Sequence, residues 1–141
     1  PNGSALSFAL ADRGVTVVGA CLRNASAAGR WLAESVDGRV SVVAAGERWP
    51  DGSLRPAIED LWGAGAVLSA LGGAGMSPEA DAAIVAFQVV RDRLPAELRD
   101  CASGRELAEA GFGRDVEIAA ELDASSVVPV LRGDAFVGQE R

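Results

Sequence analysis

The chain contains no histidine, no tyrosine and no lysine, and each of its 13 basic residues is arginine. Those absences remove whole mechanisms. Without histidine there is no Ser-His-Asp or Cys-His catalysis, no phosphohistidine and no His-ligated metal within these residues. Without lysine there is no Schiff base and no P-loop of the usual kind. What remains is chemistry built on carboxylates, hydroxyls, arginines, backbone amides and a hard metal ion.

Cysteine is scarce as well. Cys21 sits in an apolar run and Cys101 follows a helix-like one. Two thiols so far apart do not make a disulfide framework, and both read as buried free thiols in a reducing cytoplasm. No signal peptide and no apolar run long enough to span a bilayer is expected.

The 141 residues are 49% apolar with a formal charge of −7. That suits one α/β domain over residues 1–141 with a real core, burying roughly two-thirds of the surface the unfolded chain exposes. The acidity argues against nucleic acid or an anionic membrane as partner, and leaves a homo-oligomer open.

Along the chain, "VTVVGACL" (15–22) is a continuous β-branched run of the kind that becomes a buried strand, and "RVSVVAAG" (39–46) repeats the signal. Between them "RNASAAGRWLAESV" (23–36) turns helical, with Asn24 or Ser26 available to cap. Ile58, Leu61, Trp62, Gly65 and Leu68 recur at helical spacing, which predicts a helix from about Leu54 to Leu71. Ser77-Pro78-Glu79 starts another, with Ala83, Phe87, Val90 and Leu94 as its stripe.

Ser103 and Glu106 have capping-box spacing in a short helix ending at Gly111. Residues 114–123 read helical, and 127–137 as a strand or hairpin near an edge, because Pro129 cannot donate to a ladder. "PNGS" (1–4) reads as a turn. The alternation of strand and helix predicts a layered α/β/α sandwich with a mostly parallel or mixed sheet.

In such sheets ligands collect beyond the carboxyl ends of strands, where helix N-termini present unpaired amides. The first run ends at Arg23, Asn24 and the amides of the next helix. The second ends at Glu47, Arg48, Asp51, Ser53 and Arg55. If the strands are neighbours, three arginines frame one crevice whose guanidinium forks suit phosphate, sulfonate or carboxylate. Glu47, Asp51, Glu59 and Asp60 supply oxygen ligands for Mg²⁺, which is commonly held by one or two carboxylates together with substrate phosphate.

Plainer readings stand beside these. Glu59 and Asp60 fall near the first turn of a helix, where acids favour the macrodipole. Arg48 and Arg55 could pair with the same acids at the surface. Trp31, Trp49 and Trp62 could simply be core. The cysteine-phosphatase loop, the Asp-x-Asp phosphatase signature and the dinucleotide-binding glycine pattern are all absent.

Taken in order, "PNGS", "LRNASA", "AAGERWPDGSLRPAIEDLWGAGAV", "CASGREL" and "DVEIAAELDASSVVPVL" resemble the C-terminal part of the 2-phosphosulfolactate phosphatase family. The third motif is the most specific. The resemblance implies an α/β fold in layers and a Mg²⁺-dependent acid phosphatase that cleaves the phosphate ester of 2-phospho-3-sulfolactate on the route to coenzyme M. It carries over Asn2, Ser4, Arg23, Asn24, Glu47, Arg48, Asp51, Arg55, Glu59 and Asp60 as site residues. It also implies a longer family chain with an earlier part similar in style to "GACLRNAS", as in a duplicated unit. The other reading is a non-catalytic anion-binding or assembly module, and a divalent-metal requirement separates the two.

Overall fold

The computed structural model describes residues 2–11, 13–73 and 75–139, with the backbone alone at Asn2. Helix α1 (Asn2–Ala11) is followed by a 3-10 turn (Leu22–Asn24) that leads into α2 (Ala25–Ser35). A hairpin of β1 (Glu47–Arg48) and β2 (Leu54–Arg55) precedes α3 (Ile58–Leu71) and α4 (Pro78–Val90). Three short helices follow, α5 (Leu94–Asp100), α6 (Ala102–Glu109) and α7 (Gly113–Ala119), and then a second hairpin of β3 (Val128–Arg132) and β4 (Ala135–Gln139). Among the described residues no helix is long and apolar enough to cross a membrane.

Helix α3 is the centre, with α2 and α4 on either side. Its Trp62, Ala66, Val67 and Leu68 are buried, so it is apolar on more than one face, as a helix flanked by two others must be. Glycine sets the distance of approach. A Cβ on Gly65 would stand 2.0 Å from the Ala83 carbonyl oxygen of α4, and one on Gly29 of α2 would stand 2.6 Å from the Val67 carbonyl oxygen. Leu22, Phe87, Val90, Leu94, Leu98 and Val116 close the same core. Each large apolar side chain fully buried there contributes about 1.5–3 kcal/mol.

The second helical start is as the sequence predicts. Ser77 caps α4 by accepting from the Ala80 amide at 3.3 Å, and Ala83, Phe87, Val90 and Leu94 are all buried, although Leu94 already belongs to α5. The segment 114–123 does begin as helix, in α7.

The hairpin expected at 127–137 is present as β3 and β4, and the rest of the sheet differs from expectation. The fold mixes helices and strands, but both named sheets are two-stranded antiparallel hairpins. Run 15–22 forms one antiparallel bridge, Val18 with Val130, supported by bonds from the Gly19 amide to Pro129 O at 2.8 Å and from the Leu131 amide to Val17 O at 2.9 Å. That contact places β3 between the run and β4, so Pro129 lies inside the arrangement, its carbonyl accepting where it has no amide to donate. Run 39–46 contains no strand, and Val43 is 60% exposed. A β-branched run becomes a strand only against a partner, and this one has none among the described residues.

Four local corrections have clear causes. The first motif, read as a turn, lies in α1 from Asn2 onward. Helix α3 starts at Ile58 and not Leu54, because Pro56 forces Arg55 into extended backbone, where Leu54 and Arg55 pair with Arg48 and Glu47. Glu106 is no capping acid: α6 begins at Ala102, capped by the Cys101 sulfur accepting from the Gly104 amide at 3.4 Å. Of the two thiols, both unpaired, Cys21 is exposed and Cys101 half-buried, since the run holding Cys21 meets β3 only around residues 17–19 and its neighbour Ala20 is exposed too.

Candidate active site at the first hairpin

The stretch 46–60 folds as a tight hairpin running into the first turn of α3. Trp49 and Gly52 close the turn through a 2.8 Å bond from the Gly52 amide to Trp49 O, with Pro50 and Asp51 at its corners and Gly52 at φ 83°. Asp51 finishes it: one carboxylate oxygen accepts from the Ser53 amide at 2.9 Å and the Ser53 hydroxyl at 2.6 Å, which holds its pKa below the usual range.

Arg48 is exposed and leaves a hairpin strand, not the buried strand the sequence suggested. Its Nη1 donates to Gly52 O at 2.8 Å, and it makes no ion pair among the described residues. It also lines an open cavity between α1 and the hairpin, with Ala5, Leu6, Ala9, Ala45 and Leu54. A cation on an otherwise apolar wall is a place for one anionic group of a ligand.

Arg55 has other commitments. Its Nη1 donates to Glu106 Oε1 at 2.6 Å and its Nη2 to Oε2 at 3.0 Å, while the guanidinium lies 5.4 Å from the centre of the Trp49 ring. The bond to Glu106 holds Arg55 more firmly protonated and Glu106 more firmly ionised than either is alone. Trp49 is thereby not core; it is 50% exposed, whereas Trp62 is buried.

The acids meet at the base of the hairpin. Asp60 accepts from the Gly46 amide at 2.6 Å, yet burial raises its pKa, and the charges of Glu59 and Glu47 raise it further. Cys101, at the head of α6, is close enough for Glu59 to act on: burial, then Glu59, pushes its thiol up. Among the described residues no three acidic or thiol side chains converge to hold a metal by themselves. Glu47, Glu59 and Asp60 crowd like charges, which fits a cation that takes one or two carboxylates and completes its shell with water and substrate oxygen. The Asp51 carboxylate is taken up with Ser53 at the hairpin tip.

The first strand end is built differently. Asn24 is 5% exposed and wholly engaged: its Oδ1 accepts from the Cys21 amide at 2.8 Å, and its Nδ2 donates to Val127 O at 3.1 Å and Gly19 O at 3.3 Å. Arg23 donates to Ile118 O at 2.9 Å and pairs with Glu121. The amides at the head of α2 are not open to phosphate either. The carboxylate of Asp123 takes the Ser26 amide at 2.7 Å and the Ser26 hydroxyl at 2.6 Å. The three arginines therefore divide, with Arg23 tied to α7 and the turn after it, and Arg48 and Arg55 in the hairpin. Ser4 is exposed on α1, and the side chain of Asn2 lies outside the described residues.

A family model described as 2-phosphosulpholactate phosphatase matches residues 1–134, which is nearly the whole chain and includes every residue of the candidate site. The chain belongs to the 2-phosphosulpholactate phosphatase family. A curated relative named probable 2-phosphosulfolactate phosphatase, from Thermus thermophilus, is 35% identical over 135 residues. That match covers 94% of this chain and 54% of the relative, so the chain spans about half the length of the curated relative it matches.

Two residues in this family chain escaped sequence reasoning. Asp123 carries φ 56°, and its cap reaches across 97 residues, so only the "LDASS" turn chemistry hinted at it. Glu106 was visible only as a helix-start acid, although its partner Arg55 lies 51 residues earlier.

Proposed function

We propose that the chain forms part of a phosphatase site that hydrolyses the phosphate ester of 2-phospho-3-sulfolactate or a similar phosphorylated hydroxy acid. The observation that carries the reading is Arg48 on the wall of the α1–hairpin cavity, next in β1 to Glu47, whose charge also reaches Asp60 at the hairpin base, in a chain of this family. The relative's name supports the substrate class.

In this reading Arg48 fixes the phosphate or sulfonate by its planar fork, which lysine would replace only as a point charge. The acids crowd negative charge where an anionic substrate must come, so binding requires a cation between them. One or two of Glu47, Glu59 and Asp60 would hold Mg²⁺, with water and substrate oxygen completing its shell and Asp51 left to the hairpin tip; the ion would supply positive charge to the phosphoryl oxygens. Helix α1 walls the cavity through Ala5, Leu6 and Ala9, while Arg23 and Asn24 hold the backbone around their own turn in place.

Runs 15–22 and 39–46 become the strands of a layered sheet when further family residues pair with them. Unpaired thiols suit the cytoplasm, and with a net charge of −7 the partner is a small anion held locally, not nucleic acid.

The test is release of inorganic phosphate from 2-phospho-3-sulfolactate by the protein, with and without Mg²⁺. Mg²⁺-dependent release that falls in Glu47→Gln and Asp60→Asn is expected. Phosphate binding without Mg²⁺ and no turnover with it would instead identify an anion-binding module.

A further inference from the structure

The hairpin that carries Arg48 is two residues long in each strand. A two-stranded hairpin of any length is marginal in water, so this one must be held from outside. Its base is held by Asp60, through the Gly46 amide. Its far strand is held by Glu106, through Arg55.

We infer that Glu106 is a positioning residue: its two-point bond to Arg55 clasps the hairpin against α6 and so fixes where Arg48 and Glu47 stand. Arg55 is the latch in this arrangement and not a substrate ligand. Its side chain is 15% exposed, its fork is occupied by one carboxylate at 2.6 and 3.0 Å, and Trp49 lies over it. The planar fork matters, since a bidentate bond fixes orientation as well as distance.

The "CASGREL" motif is organised to deliver Glu106. The Cys101 sulfur caps α6, and its thiol donates to Leu98 O at 3.2 Å, tying the helix head to the end of α5. Gly104 is seated so closely that a Cβ would stand 1.8 Å from Leu98 O. Helix α6 is therefore fixed in depth, and Glu106, one turn along from Cys101, reaches the hairpin at a fixed height. Glu106 is itself 59% exposed, and what sets its bond apart is the covered, two-point arginine: the ion pairs Arg93–Glu97 and Arg99–Glu117 are single contacts of arginines 62% and 56% exposed.

The experiment is a double-mutant cycle on the protein with Glu106→Gln, Arg55→Met and the two combined, and Glu97→Gln as control. Amide hydrogen exchange is read at Trp49 and Gly52, whose amides bond to Ser53 O and Trp49 O across the turn. Glu106→Gln is expected to speed exchange there at least fivefold while amides of α3 and α4 keep their protection. The combined variant is expected to be no worse than either single one, as for two members of one clasp.

The proposal's effect on turnover rests on the function proposed above, and its effect on hairpin order does not. Where 2-phospho-3-sulfolactate is turned over, kcat/KM is expected to fall severalfold in either single variant and no further in the double. Unchanged exchange at Trp49 and Gly52 in Glu106→Gln overturns the clasp, and so do losses of turnover that add. Absence of turnover in the unaltered protein counts against the proposed function, and the exchange cycle still decides the clasp.

Discussion

The carboxylate of Asp60, in the first turn of α3, accepts a 2.6 Å hydrogen bond from the amide of Gly46, the residue that opens the hairpin. Gly46 is buried at φ 69°, and a Cβ there would stand 2.9 Å from Leu54 Cδ1 and 3.0 Å from Arg55 O. One bond thus joins the central helix to the hairpin. Asp60→Ala removes the acceptor and is expected to destabilise the protein by about 1–3 kcal/mol, measured by urea unfolding. Asp60→Asn retains an acceptor and is expected to stay within about 1 kcal/mol of the parent.

Asp60 and Glu106 titrate in opposite senses. Burial raises the folded Asp60 carboxyl, so the folded protein keeps a proton that the unfolded chain has lost. Stability is then lost as pH rises from the ordinary carboxylate value, about 4, through the raised one. The Arg55 bond lowers Glu106, whose contribution is present above that ordinary value and lost as pH falls through the lowered one. Asp60→Asn is expected to flatten the stability profile above about pH 4, and Glu106→Gln the profile below it. Tm measured across the acid range checks both.

Arg48→Lys is expected to reduce kcat/KM about tenfold to a hundredfold, the equivalent of roughly 1.5–3 kcal/mol for a charge-assisted contact. Its single bond to Gly52 O lies at the surface, so Tm should move little. Unaltered turnover of 2-phospho-3-sulfolactate would retire Arg48 as the anion's anchor.

Asn24→Asp tests the buried amide. The Nδ2 group faces the carbonyls of Gly19 and Val127, and a carboxylate oxygen in its place would repel both. The variant is expected to be less stable than Asn24→Ala at neutral pH and to recover as the pH falls, when a protonated acid can donate. Equal stability of the two variants across pH would contradict the bonding described.

Gly65→Ala is expected to lose about 1–3 kcal/mol by forcing α3 and α4 apart. Thermal unfolding gives the number, and a neutral result would show that the helices can separate without loss.

Much of the helical half was legible in sequence because its signals are local. Ser77-Pro78-Glu79 announces α4, and the spacing of Ala83, Phe87 and Val90 tells which face is buried. The hairpin at 127–137 was legible too, but the fate of the other two runs was not, since pairing depends on what lies alongside: Val18 finds Val130 across more than a hundred residues, and Val43 stays 60% exposed outside any strand. At the candidate site the residue types could be read from the sequence, but their engagements were invisible. Asn24 is consumed by three backbone groups, Arg23 by Glu121, and Arg55 by a glutamate whose spacing imitated a capping box. Side chains of the same kind serve substrate or scaffold according to partners that only the folded chain supplies.

The backbone contacts at Gly29 and Gly65 bear on how this sequence can diverge. With α3 gripped on both flanks at distances that leave no room for a methyl group, substitutions that enlarge either position carry a stability cost, and so does any shift of the helix that would re-aim Glu59 and Asp60. Sequence change is cheaper at exposed positions of the hairpin such as Leu54, where a new side chain meets solvent. The acids of α3 act as a fixed reference, and adaptation happens around them.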